Sequence, residues 1–249
     1  MKISVVINTY NAEQYLEQVL DSVRGFEEIV VCDMESTDST LSIAKNYGCK
    51  IVTFPRGKYK IVEPARNFAI KNASNDWILV VDADELVTPE LKNYLYRRIE
   101  DKDCPHGIFI PRKNKFMGKY LGKTIGDLQL RFFIKQGTYW PEVIHSLPKI
   151  QGRIEKVSKK EKNVMLVHLE QEHLHDRLEK INRYTDNELI RKKDRSYNAL
   201  SLIFQPIGVF FKSYILQQGF RYGKCGFIKA VCDSNYKFFT IAKVIENRM

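Results

Sequence analysis

The stretch from Trp77 to Glu85, WILVVDADE, constrains this chain more than any other. Ile78, Leu79, Val80 and Val81 follow one another without polar alternation, the signature of a central strand covered on both faces of a parallel sheet. The run then ends in three acids, Asp82, Asp84 and Glu85. Carboxylates at the end of a buried strand are costly unless a ligand or counter-charge compensates them, and open α/β sheets place their ligands at the carboxyl ends of strands. Two carboxylates separated by one residue can share a divalent cation, and hard oxygen donors suit Mg²⁺ or Mn²⁺. A solvated acidic turn is the plainer alternative.

The sequence before this run alternates strand and helix. Ile3 to Asn8 reads as a strand, and Asn11 with Gln14 as a capping box for a helix whose Leu16, Val19, Leu20 and Val23 share one face. Ile29 to Cys32 gives a second strand, Asp38 to Tyr47 a helix closed by Gly48, and Lys50 to Phe54 a third strand. Pro64 opens a helix through Ala73, and Thr88 with Pro89 starts one carrying Leu91, Tyr94, Leu95 and Ile99. This alternation predicts an α/β fold, a doubly wound, Rossmann-like sheet with right-handed crossovers. After Asp101 the pattern changes. Ile108 to Pro111, the alternate positions Leu128, Leu130, Phe132 and Ile134, and Val164 to Val167 predict a mixed or antiparallel edge, followed by a helix over residues 173–194. The expected organisation is a catalytic domain over 1–172, with a ligand-binding half (1–100) and an acceptor-side half (101–172), and a helical, basic and aromatic extension over 173–249.

At 249 residues the chain is long enough for one substantial core plus an appended subdomain. Its five cysteines are odd in number and lack C-x-x-C spacing, so neither a disulfide framework nor a zinc site is expected, and a reducing cytosol is the natural setting. Lys2 runs directly into the first strand, which leaves no room for a signal segment. The net charge of +10 is uneven, with 21 Lys and Arg against 19 acids in residues 1–150 and 19 against 11 thereafter. Such an excess suits nucleic acid, anionic lipid or phosphorylated ligands, and charge alone does not choose among them.

The strand ends supply a chemical inventory. Thr9, Tyr10 and Asn11 follow the first strand, Asp33 and Glu35 the second, Arg66 opens a crossover helix, and Asp82 and Asp84 follow the fourth strand. A polar-aromatic turn with an isolated Asp can grip a base and ribose, while an arginine and a divalent ion can grip a diphosphate. Neither G-x-G-x-x-G nor G-x-x-x-x-G-K-[ST] occurs, which disfavours dehydrogenases and phosphate-loop ATPases. Asp33 also reads as a turn cap and Arg66 as a surface charge.

The successive segments VVINTYNAEQYLEQVLDSV, EIVVCDMESTDST, EPARNFAI and WILVVDADE resemble, in order, the motifs of glycosyltransferase family 2, the inverting enzymes of GT-A fold. The later segments PRKNKFMG, GDLQLRFFIKQG, EVIHS and LVHLEQE resemble the bacterial subgroup of lipopolysaccharide core biosynthesis. The resemblance implies that Thr9, Tyr10 and Asp33 contact the nucleobase and ribose of a nucleotide-sugar, UDP-glucose being the first candidate, and that Arg66 contacts its diphosphate. Asp82 and Asp84 match the family's D-x-D, which positions the donor chiefly through the metal. Asp127 in GDLQLR matches the second acidic motif and is the implied general base, with Arg131 beside it among the donor contacts. His145 joins Asp82 and Asp84 as a candidate metal ligand, although His145 and His168 are equally compatible with structural roles. Where the subgroup carries Val-His-Glu this chain has Ile144, His145 and Ser146, so a duty of that Glu is absent or moved to Glu142.

The last 54 residues, from Ser196, hold eleven of the 29 aromatics and seven Lys and Arg against two acids. Leu200 to Leu216 is interrupted by Gln205, Pro206, Gly208 and Lys212, so no clean spanning helix is expected. The mixture instead suits a peripheral contact with anionic membrane, at the cytoplasmic face, or the core of a helical cap or dimer contact. The expected function is sugar transfer to a lipid-linked or lipopolysaccharide-type acceptor, without nucleic acid as a partner. Two alternatives stand beside it. A sugar-nucleotide pyrophosphorylase would need a glycine-rich basic loop where Asn8 to Glu13 stand, and a non-catalytic lipid- or nucleic-acid-binding module would leave WILVVDADE without purpose.

Overall fold

The computed structural model describes residues 1–57, 62–120, 127–142, 146–192 and 194–248. The chain divides into two compact units, Met1–Lys113 with Thr124–Leu169, and Asn114–Lys123 with Glu170–Met249.

The elements of the first half run β1 (Ile3–Thr9), α1 (Leu16–Ser22), β2 (Glu28–Asp33), α2 (Thr40–Asn46), β3 (Lys50–Thr53), α3 (Glu63–Asn72), β4 (Trp77–Asp82), β5 (Glu85–Val87) and α4 (Pro89–Glu100). They are followed by β6 (Gly107–Phe116), β7 (Lys119–Tyr120), β8 (Leu128–Ile134), β9 (Thr138–Tyr139), β10 (Lys149–Ile150), β11 (Ile154–Lys156) and β12 (Leu166–Glu172). In the first unit β3, β2, β1 and β4 lie side by side and parallel. On the far side of β4, β8 is added antiparallel, and β6 is antiparallel to β8. The mixed sheet expected from the change of pattern after Asp101 is therefore present, and it continues beyond β6 through β12 to β5, which is antiparallel to β12.

Strand alternation divides the buried residues between two faces of the sheet. Val5 and Ile7 of β1 with Leu79 and Val81 of β4 pack against Leu16, Val19 and Leu20 of α1 and Leu91 and Leu95 of α4. Val6, Val30, Ile78 and Val80 face the other way, against Ala65, Ala69 and Ile70 of α3 and against Phe133 and Trp140. This two-sided burial explains why WILVV carries no polar position.

Helix starts follow local chemistry. Thr88 Oγ1 accepts the Leu91 amide at 3.2 Å ahead of Pro89, as expected from sequence. The first helix departs from expectation, because it begins at Leu16 rather than at a box capped by Asn11. Asn11 sits in the left-handed region at φ 48°, its amide donates to Ser36 Oγ at 2.9 Å, and its Oδ1 accepts the Thr37 amide at 2.8 Å. Asparagine tolerates that conformation and offers the backbone a local alternative to the helix, so it ties two sheet-edge loops together.

The second unit contains α5 (Leu174–Lys192), α6 (Ala199–Phe211), a π-helical turn at Lys212–Leu216, a 3₁₀ turn at Gly219–Tyr222, and α7 (Lys224–Glu246). Ser213 donates to Asp233 at 2.7 Å and Ser234 to the Pro206 carbonyl at 2.9 Å, which fastens α6 and its turn to α7. A Cβ on Gly226 would lie 1.9 Å from the Gly219 carbonyl oxygen, so only glycine admits this approach. One expectation is corrected here. Gln205, Pro206, Gly208 and Lys212 do not break the segment, and Ala199–Leu216 is a continuous helical run, 11% buried, long and apolar enough to cross a membrane by length and composition alone.

Thr88→Ala should cost about 1 to 2 kcal/mol, because the hydroxyl also reaches the carbonyls of Asn163 at 2.7 Å and Met165 at 3.0 Å. Urea unfolding should show a lower midpoint with an unchanged slope, and Thr88→Ser should recover most of the loss.

Candidate functional site

The sheet register brings the carboxyl ends of the parallel strands to one edge. Asn8 pairs with Asp82, and Thr9 with Asp33. Thr9 Oγ1 donates to Asp33 Oδ1 at 3.0 Å, while the Ser36 amide and hydroxyl donate to the same carboxylate at 2.9 and 2.5 Å. Asp33 thus caps the turn after β2, the structural role that its sequence position also allowed. Tyr10 is exposed at this edge, with the Arg56 guanidinium 3.6 Å from its ring centre.

The D-x-D acids diverge. Asp82, the last residue of β4, accepts one hydrogen bond from Arg66 at 2.8 Å and another, on its second oxygen, from the buried Arg131 of β8. Both guanidiniums lie over Trp140, at 4.5 and 5.7 Å from the ring centre, and Asn67 clamps the Trp140 backbone through two hydrogen bonds of 2.7 and 3.0 Å. Asp84 turns the other way, 2.9 Å from His168 Nε2. The pairing of β12 with β5 brings His168 there, with the Leu169 amide donating to the Asp84 carbonyl at 2.7 Å. Glu170 follows two positions along the same strand.

A second ion network carries the remaining acid. Arg112 of β6 donates from Nη1 to Glu85 at 3.0 Å and from Nε to Asp127 at 2.9 Å, and Gln129 donates to the other oxygen of Asp127 at 2.5 Å. The Glu85 carboxylate accepts the Asp82 amide at 3.2 Å, which joins the two networks. Asp127 immediately precedes β8, the strand that carries Arg131. Glu142 is exposed after Trp140 and Pro141, whereas His145 lies outside the described residues.

Burial and charge compete at each of these groups. Burial acts to raise the Asp82 pKa, but Arg131, then Arg66 and Arg112, outweigh it and hold it at about 2. Glu85 is pushed upward, first by burial and then by Asp82. Burial acts to lower His168, yet its hydrogen bond and charge interaction with Asp84 raise it. Arg131 Nε and Nη1 and Arg66 Nε are buried with no hydrogen-bond partner among the described residues.

Sequence reading singled out Thr9, Tyr10, Asp33, Arg66, Asp82, Asp84, Asp127 and Arg131, and all of these lie at strand ends or on strands of the first unit or its crossover helix. It missed Trp140, Glu85 and Arg112 as members of the charge network, and it left His168 undecided. The signals were weak. Glu85 was visible as the third acid of WILVVDADE, but Arg112 and Trp140 stand out only once β6 and β8 are paired.

Asp82→Asn should destabilise the protein by roughly 3 to 5 kcal/mol, since it strands two buried guanidiniums, whereas Asp84→Asn should leave stability nearly unchanged. The folded pKa of Asp82, about 2, lies below the unfolded value of about 3.9, so its contribution is present above pH ~4 and fades as pH falls through 2. Urea midpoints at neutral pH and near pH 2.5 should show the gap between wild type and Asp82→Asn narrowing in acid.

A model of the family described as "Glycosyl transferase family 2" matches residues 4–159, more than half of the chain. A glycosyltransferase of Rickettsia typhi is 25% identical over 98% of this chain and 87% of its own length. The lipopolysaccharide core biosynthesis glycosyltransferase LpsC of Rhizobium meliloti is 25% identical over 99% of this chain and 93% of its own. Among solved structures, Staphylococcus aureus TarS 1-349 in complex with UDP-GlcNAc superposes with a TM-score of 0.54 at 18% identity, covering 99% of this chain and 89% of that one, a likeness of fold. With its GT-A-like mixed sheet and C-terminal helices, this chain belongs to glycosyltransferase family 2.

Proposed function

We propose that the chain transfers a sugar, with inversion, from a nucleotide-sugar to a lipid-linked or lipopolysaccharide-type glycan acceptor, and that UDP-glucose is the first donor to test. The observation that carries the reading is the pair of arginines, partly buried Arg66 and buried Arg131, that converge on Asp82 at the carboxyl edge of a family 2 sheet. The relatives support the substrate classes. LpsC is named for lipopolysaccharide core biosynthesis, and the TarS structure holds UDP-GlcNAc.

In this reading Thr9, Tyr10 and Asp33 form the base and ribose end of the donor site. Tyr10 offers an exposed ring, and Asp33 fixes the loop beneath it. Arg66 and Arg131 meet the negative charge that grows on the diphosphate as the anomeric C–O bond breaks, an electrostatic role suited to buried, pre-positioned donors. Asp84 and His168 together offer an oxygen and a nitrogen donor, which fit a divalent ion such as Mn²⁺ or Mg²⁺. A bound ion would neutralise charge on the leaving diphosphate. Asp82, whose two oxygens are engaged by arginines, positions those arginines. Asp127 removes the proton of the acceptor hydroxyl as its oxygen attacks from the face opposite the diphosphate. Arg112 and Gln129 hold the Asp127 carboxylate in position for that step.

Catalysis is assigned to residues 1–172 and membrane attachment to 173–249, at the cytoplasmic face. Although Ala199–Leu216 could span by length, its fastening to α7 would carry Lys212 and the Lys229–Asp233 pair into the hydrocarbon. An in-plane position avoids that cost.

A thermal-shift panel of UDP-, GDP-, dTDP- and CMP-sugars with and without Mn²⁺ tests the donor. The cognate ligand at 100 times its dissociation constant adds about 2.7 kcal/mol to the folded state. Asp84→Asn should remove the metal-dependent part of that shift. Asp127→Asn should retain donor affinity while turnover falls by roughly 10² or more, and near-normal transfer would move the base to another carboxylate, Glu142 first.

A further inference from the structure

Glu85 is the acid of WILVVDADE to which the sugar-transfer reading gives no part, yet it is wholly buried. Burying a charge is costly, and a buried ion pair adds little to stability by itself, so its presence asks for another explanation. Burial and then Asp82 push its carboxyl upward, against the charges of Arg131 and Arg112. Both of its oxygens are engaged, one by the Asp82 amide at 3.2 Å and the other by Arg112 Nη1 at 3.0 Å. Its backbone opens β5 and pairs with His168 of β12.

Arg112 is the link outward from this anchor. Its backbone amide donates to the Asp127 carbonyl at 2.8 Å, and its Nε to the Asp127 carboxylate at 2.9 Å. The nitrogen that holds Glu85 is a different one of the same planar group, so one rigid guanidinium spans a buried carboxylate and one that is 32% exposed. An arginine side chain has many rotamers, and fastening Nη1 to an interior acid removes that freedom and places Nε. Asp127 itself stands one position ahead of β8, with Gln129 donating to its other oxygen at 2.5 Å.

We propose that Glu85 is a positioning residue for proton removal: fixed in the interior, it sets the Arg112 guanidinium, which aims the Asp127 carboxylate at the acceptor hydroxyl. In that step the carboxylate takes the hydroxyl proton while the acceptor oxygen bonds to the anomeric carbon and the bond to the diphosphate breaks. Glu85 touches neither reactant and acts only through Arg112. The inference rests on the reading of Asp127 as the base and deepens it, from the group that takes the proton to the one that holds its support in place.

The test follows nucleotide release by the full chain with Mn²⁺, from the sugar that gives the largest shift in the thermal panel, with water in place of the acceptor hydroxyl. Glu85→Gln keeps the shape, but its amide accepts at one end only, so it gives up either the Asp82 amide or Arg112. Its kcat should fall roughly ten- to a hundred-fold, the scale of a small misplacement of a reacting group, while donor KM and the metal-dependent thermal shift stay as in wild type. Arg112→Gln should lose about as much, and adding Glu85→Gln to it should change kcat by less than about three-fold, because the support is already gone. Arg112→Lys keeps the charge but not the two-sided reach, and should stay impaired. Losses that multiply in the double variant, a wild-type kcat in Glu85→Gln, or a loss confined to KM would overturn the proposal. Where a lowered melting temperature shows that Glu85→Gln folds poorly, Glu85→Asp, which keeps the charge and shortens the reach, is held to the same outcomes. Asp127→Asn decides the underlying reading, since undiminished release there dismisses the base, whereas a loss there beside a normal Glu85→Gln dismisses only the positioning role.

Discussion

The ion pairs around Asp82 are the constraint on which the first unit turns. The Asp82 carboxylate at the end of a central strand is only partly solvated, 29% exposed, so counter-charge from neighbouring elements offsets the cost of its burial. Arg66 comes from a crossover helix and Arg131 from the antiparallel strand beside β4. The pair therefore fixes how α3 and β8 sit against the sheet edge. Trp140 supplies the floor under both cations, and Asn67, one residue after Arg66, holds the Trp140 backbone. Fold and site are the same set of contacts here.

That arrangement also separates the two acids of the D-x-D. A shared cation is the simple reading of the spacing, but one intervening residue across a strand end points the two side chains apart, Asp82 toward arginine and Asp84 toward His168. Asp82 is held by two guanidiniums and Asp84 by one imidazole, and the two side chains are about equally exposed, 29% and 26%. Glu85 ties the halves together, because it accepts the Asp82 amide and the Arg112 guanidinium that holds Asp127. Asp127 is thus linked to Asp82 through three hydrogen bonds, by way of Arg112 and Glu85.

The legible parts of the sequence were those governed by local chemistry. The apolar run of β4, the Thr88 cap and the strand-end acids follow from periodicity and burial cost. What escaped was set by pairing between distant segments. His168 meets Asp84 only because β12 runs antiparallel to β5, and Arg112 meets Glu85 only through the order of β6, β8 and β4. Asn11 misled for a related reason, since its cap-like position is overridden by the loop after β2. Interruptions also meant less than composition suggested, for Pro206 and Gly208 remain within α6.

The helical unit differs from the first in what it leaves uncovered. Folding normally hides an apolar helix stripe, because each buried large aliphatic or aromatic side chain stabilises by roughly 1.5 to 3 kcal/mol. In α6 the packed side carries Pro206 and Phe210, whose ring meets Phe227 of α7, followed by Ser213 of the π-helical turn, while Leu200, Ile203, Phe204, Ile207 and Phe211 face out. An exposed apolar stripe of that kind marks a surface that meets another apolar surface. The proposed in-plane membrane contact would supply such a surface to α6.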